Sequence, residues 1–164
     1  MRNIQKLKQR TSGFTIIEVM IVLAIAGLIL LIVFLAVPAL QRNAHNTSIK
    51  NDVSSLLGGV NEYVNNNNGG VPTGLTNLTT SSVDITGGAG TNTVTSKVGY
   101  IDGTTGVTLA KATAPVTNNL TAGQVAIYTN AICNGNNATN VGATSRNFVA
   151  LYGLEGGAKE CQAS

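Results

Sequence analysis

Gly13-Phe14-Thr15-Ile16-Ile17-Glu18 opens an almost unbroken run of Val, Ile, Leu, Ala, Met and Phe that lasts to Leu40. Apart from Glu18, no charged residue stands between Gly13 and Arg42. Phe14 to Leu40 is 27 residues, which as a continuous helix reaches ~40 Å. A bilayer core takes ~20 apolar residues, so the segment is long enough to span a membrane and project beyond it. Two residues work against a smooth helix. Gly27 costs ~1 kcal/mol of helix stability, and Pro38 removes a backbone bond and crowds the preceding turn at ~3 kcal/mol. Pro38 is therefore the expected kink, with Gly27 a lesser weak point.

Glu18 is the one acid in this run. A carboxylate at the centre of a membrane helix costs ~2.5–3.5 kcal/mol. One reading sets Glu18 at the helix start, where the macrodipole favours an anion by ~0.3–1 kcal/mol and the side chain reaches the headgroups. The other gives it a cationic partner.

On the N-terminal side lie Arg2, Lys6, Lys8 and Arg10. They account for the basic character of the 164-residue chain, whose formal charge is +3. Residues 14–164 carry six of the ten Lys/Arg against all seven Asp/Glu, a net of −1. The basic balance therefore belongs to the leader and gives no reason to expect nucleic-acid binding. It also sets the N-terminus on the cytoplasmic side by the positive-inside rule.

A basic leader, Gly13, an aromatic Phe14, Glu18 four residues on and a long apolar run together resemble the class III signal of type IV pilins and pseudopilins. The resemblance implies cleavage between Gly13 and Phe14 by a prepilin peptidase and methylation of the Phe14 amine. It further implies assembly of identical subunits into a helical homopolymer by a platform and an ATPase motor, starting from the inner membrane. Glu18 then neutralises the Phe14 amine of a neighbouring subunit. A helix-disrupting Pro usually stands nearer the N-terminus in that family than Pro38 does here.

The remaining chain is expected to be α+β. The divisions are a leader (1–13), an apolar helix (14–40), an amphipathic helix (41–65), a loop (66–92) and a β-rich head (93–164). In the amphipathic part Ile49, Val53, Leu56, Leu57, Val60 and Val64 recur at the spacing of one helical face. Lys50, Asn51, Asp52, Asn61 and Glu62 fall on the other, and Gly58-Gly59 is a second weak point. Asn65 to Gly70 ends the helix, with Asn or Gly suited to the left-handed cap. Period-two runs over 92–101, 106–110, 124–132 and 147–152, separated by Gly- and Asn-rich turns, predict three to five antiparallel strands. Residues 71–92, rich in Thr, Ser and Gly, predict a loop with little regular structure.

Cys133 and Cys161 are the two cysteines, and an even pair on an exported head reads as a disulfide. It also resembles the disulfide-bounded C-terminal loop of many type IV pilins. No cofactor or metal is called for. His45, the single His, has no Ser or Cys partner in sight and reads as an exposed surface residue. Asp84 and Asp102 are isolated acids and a weak signal for calcium. Gly87-Gly88-Ala89-Gly90 lacks the Lys and the following helix of a phosphate loop. The Asn-X-Ser/Thr sequons at Asn46, Asn77, Asn119 and Asn137 follow from composition. The reading is a non-enzymatic structural subunit of a pilus, serving adhesion, motility or DNA uptake. A minor pilin, a pseudopilin of secretion or competence, and a non-polymerising anchored surface module are the alternatives.

Overall fold

The computed structural model describes residues 13–87, 92–116, 119–144 and 146–164. Most of the leader, and Gly88 to Gly90 of the glycine-rich stretch, lie outside these. The order is one helix, α1 (Ile16–Asn66), then nine short strands. These are β1 (Gly74–Thr76), β2 (Ser82–Thr86), β3 (Val94–Lys97), β4 (Val107–Lys111), β5 (Val125–Thr129), β6 (Ile132–Asn134), β7 (Asn137–Thr139), β8 (Phe148–Gly153) and β9 (Lys159–Ala163). The fold is α+β. Two units separate, Met1–Leu40 and Gln41–Ser164.

In the first unit, helix runs without a break through Gly27 and Pro38. Its apolar side chains face outward from Phe14 to Leu40. An apolar stripe is normally buried against a core, so this helix calls for an apolar surrounding that the described residues do not supply.

In the second unit the helix becomes the centre of a head. Ile49, Val53, Leu56, Leu57 and Val60 are buried, as the spacing predicts, and Tyr63 joins them. Three sheets form, in the orders β1-β2-β3, β4-β5-β8-β9 and β6-β7. The first two put Val83, Ile85, Val94, Val107, Val125, Ile127, Phe148, Ala150 and Tyr152 into one core with the helix. Gly59 is what lets them approach: a Cβ there would stand 2.8 Å from Ile85 Cδ1 and 3.2 Å from Ser96 Cβ. Gly58, by contrast, faces open space.

Residues along two strand edges contact successive turns of the helix. On one side Asn92 bonds Asn67, Ser96 Oγ donates to the Ser55 carbonyl, and the amides after β3 reach Asp52. On the other, Glu155 N donates to Asn46, Lys50 pairs with Glu160, and Gln162 donates to Ser54. The helix therefore lies in a trough between β3 and β9.

β5 and β8 are buried on both faces. Helix covers one face. A second core of Ala112, Ala126, Tyr128, Ala131, Ala138, Val149 and Leu151 covers the other, with Val116, Leu120 and both cysteines packed on it. Cys133 on β6 is bonded to Cys161 on β9, with Cα atoms 5.7 Å apart. The disulfide thus fastens the covering β6-β7 hairpin to the edge of the main sheet.

The sequence expectations need three corrections here. The expected loop at 66–92 contains β1 and β2, paired in register from Gly74↔Thr86 to Thr76↔Asp84. Val83 and Ile85 carry β2, because alternate positions bury two large β-branched side chains that anchor an otherwise polar segment. The strands number nine among the described residues, where three to five were expected. They are antiparallel except for β4 and β5, which run parallel from Val107↔Val125 to Lys111↔Thr129. Side-chain alternation has the same period in either direction and cannot report strand polarity.

Candidate functional site

Helix α1 begins with a reciprocal cap. The Thr15 amide donates to Glu18 Oε2 at 2.8 Å, Thr15 Oγ1 donates to the same oxygen at 2.9 Å, and the Glu18 amide donates to Thr15 Oγ1 at 3.3 Å. This is a capping box, in which a Thr and an acid three residues on satisfy amides that the first helical turn leaves free. Thr15-Ile16-Ile17-Glu18 spells it in the sequence, and the expectations for Glu18 overlooked it. The cap uses Oε2 only. Phe14 precedes the cap, just outside the helix, and lines a groove of about 320 Å³ with Glu18, Val19, Val22 and Leu23.

Gly13 precedes the helix, and a Cβ placed there would meet nothing within 4 Å. The same holds at Gly27. Neither glycine is demanded by packing against the described residues. By length and composition, the helix is apolar enough to cross a membrane.

The head places several of its polar groups in structural roles. His45 was expected to stand alone on the surface. Instead its ring lies 4.9 Å from that of Tyr100, and its Nδ1 is 2.6 Å from Glu155 Oε1. Tyr100 donates its hydroxyl to the same carboxylate oxygen at 2.9 Å. The His45 bond first, then the Tyr100 bond, holds Glu155 below the usual carboxylate range. Asp52, assigned to the polar face, is in fact buried. It accepts from the amides of Gly99, Tyr100 and Ile101 at 2.9, 2.7 and 2.9 Å.

Asp84 and Asp102 do not converge. Asp84 accepts from Thr95 and Asn77, and Asp102 from Thr104 and Thr105. Among the described residues no group of three or more His, Cys, Asp or Glu could hold a metal ion. Asn137 of the fourth sequon is partly buried inside the β6-β7 hairpin, with its Oδ1 unpartnered.

An exposed apolar helix opening on a capped acid fits a chain that is anchored or assembled through its N-terminus. Residues 8–34 match the family described as the prokaryotic N-terminal methylation motif. That motif marks the class III signal of type IV pilins, and it supports a type IV pilin-like or pseudopilin precursor. It is the signature of a structural family rather than an enzymatic one. Comparison with curated proteins and with solved structures returns no match.

Proposed function

We propose that this chain is the structural subunit of a type IV pilus, a major pilin. The carrying observation is the coincidence of the methylation motif at residues 8–34 with an apolar helix whose side chains all face outward. A prepilin peptidase cleaves between Gly13 and Phe14, and the new Phe14 amine is methylated. The inner-membrane subunit, head outside, is then drawn by the assembly platform and its motor ATPase into a filament of identical copies. Residues 14–40 supply the filament core, and neighbouring helices cover what the monomer leaves exposed.

Glu18 has a part in both stages. Its Oε2 caps its own helix, and its remaining oxygen meets the Phe14 amine of a neighbour. Gly27 and Pro38 are where the helix yields when packing in the filament requires it. The head reads as a surface domain on account of its disulfide and its Thr- and Asn-rich composition. A pseudopilin or minor pilin shares the same N-terminal chemistry and differs in its place and abundance in the filament.

The test is the intact mass of the protein purified from cell-surface filaments. Loss of residues 1–13 with the gain of one methyl group is the expected result. A mass that retains the leader, or a protein confined to the membrane fraction, would refute the reading.

A further inference from the structure

The acids of the head are nearly all engaged by its own donors, whereas several of its cations are not. Asp52, Asp84, Asp102, Glu155 and Glu160 each accept hydrogen bonds from named neighbours. The near-neutral charge of residues 14–164 therefore conceals basic groups with no partner among the described residues. Two of these, Lys111 and Arg146, stand at one end of the head.

The strand register brings them together. Lys111 ends β4 opposite Thr129, and Thr129 is opposite Phe148 at the start of β8. Adjacent strands are ~4.8 Å apart, so one sheet end presents both cations within the span of a short oligomer. The segment from Gly69 to Thr73 runs between two clefts there. One, of about 370 Å³, has Lys111, Thr129 and Asn130 above Val71, Pro72 and Leu109. The other, of about 410 Å³, has Arg146 with Asn61, Asn65 and Asn68.

No side-chain hydrogen bond or ion pair among the described residues occupies Lys111, Asn130, Arg146, Asn61, Asn65 or Asn68. Glu62, the one acid of the head with no partner among the described residues, lines neither cleft.

Arg146 alone has a simpler account. Its guanidinium lies against Gly69, where a Cβ would be 3.2 Å from Nη2, and a cation near a helix C-terminus is favoured. That account leaves Lys111 and the four unpartnered Asn amides unexplained. Carboxamides offer both donors and acceptors, as ligand hydroxyls require. The two cations add charge-assisted bonds to carboxylate.

We infer that the two clefts form a binding site for an acidic saccharide, with uronate carboxylates on Lys111 and Arg146 and ring hydroxyls on the Asn amides. Nucleic acid fits less well. Base stacking needs exposed rings, and the nearby Phe148 and Tyr128 are buried. Two cations also match few phosphates. The site is independent of whether the chain polymerises.

The experiment titrates the full-length chain, solubilised in detergent micelles, with trigalacturonic acid. Saturable binding is expected. Lys111→Gln or Arg146→Gln should weaken it about fivefold or more, the loss of one charge-assisted contact. Lys97→Gln, at the far side of the β1-β2-β3 sheet, should leave it unchanged. Both target residues are exposed, and unaltered circular dichroism will verify their folding. Maltotriose should bind at least about tenfold more weakly. Absence of saturable binding overturns the site, as does equal binding of maltotriose. Equal or tighter binding of polyphosphate or oligothymidylate also overturns it, since that identifies a general anion patch or a nucleic-acid surface.

Discussion

Replacing Asp52 with Ala deprives three consecutive backbone amides of their acceptor. Hydrogen bonds to a charged group are worth ~1.5–3 kcal/mol each, so three set a ceiling well above ~4 kcal/mol. Two of the donors, on Gly99 and Tyr100, are part-buried and will recover water, whereas the bond from Ile101 is buried. With that discount the loss is ~3 kcal/mol, a large fraction of the ~5–15 kcal/mol that holds an ordinary domain. It corresponds to a fall in Tm of roughly 10 °C at this size. Asp52→Asn keeps one acceptor oxygen but turns an NH₂ towards the same donors, and should cost ~2 kcal/mol.

The assay is guanidinium unfolding of the detergent-solubilised full chain, followed by near-UV circular dichroism. The chain has four Tyr and no Trp, and Tyr100 lies within the affected turn. Amide exchange at residues 99–101 gives a local readout and should accelerate. A stability change below ~1 kcal/mol for the Ala variant, or unaltered exchange at those amides, would refute the view that Asp52 fixes the chain after β3 to the helix.

Four further outcomes are expected. Reduction of Cys133–Cys161, which closes a loop of 28 residues, should lower head stability by ~3.6 kcal/mol in the chain-entropy treatment; equal unfolding midpoints with and without reductant would contradict this. Because Glu155 is depressed from 4.5 chiefly by His45 and Tyr100, its contribution is present above that ordinary value and lost as pH falls through the lower folded one. Acid unfolding curves should accordingly lose a component below about pH 4.5 in His45→Ala, and superimposable curves would count against the contact. Gly13→Val should block leader removal without disturbing the helix, since a Cβ there meets none of the described residues within 4 Å; a normally matured Val variant would displace the cleavage site. Glu18→Ala should yield cleaved, membrane-resident subunit and few filaments, because losing one member of a buried ion pair costs ~3–5 kcal/mol. Glu18→Gln retains the capping box without the charge, so normal shear yields of filaments from Gln would leave capping as the whole role of Glu18.

The helix was legible because both of its halves repeat a physical signal. Its first half is uniformly apolar, and its second carries Ile49, Val53, Leu56, Leu57 and Val60 at core spacing. Asp52 escaped because residue type outweighed position. It lies at the edge of that apolar face, and its burial depends on amides nearly fifty residues away, which no local window contains. The box at Thr15 and Glu18 was open to reading, as its spacing is local. A lone acid in an apolar run stands out by its charge, and that signal masks its hydrogen-bonding role. In the head, the centres of the runs around β4, β5 and β8 were correctly placed by alternation, whereas β1 and β2 were lost among Thr and Ser. Parallel pairing of β4 with β5 goes with a connection from which Ala112, Val116 and Leu120 pack into the second core, contacts that no local window contains.

The trough between β3 and β9 has a mechanical consequence. Asn46, Lys50, Asp52, Ser54 and Ser55 grip their strand and loop partners along successive turns of the helix. A pull along the helix axis loads these contacts in shear, all at once, so they share the force. A pull across the axis would open them one after another from an end. A head held in this way resists tension along its own helix far better than it resists peeling.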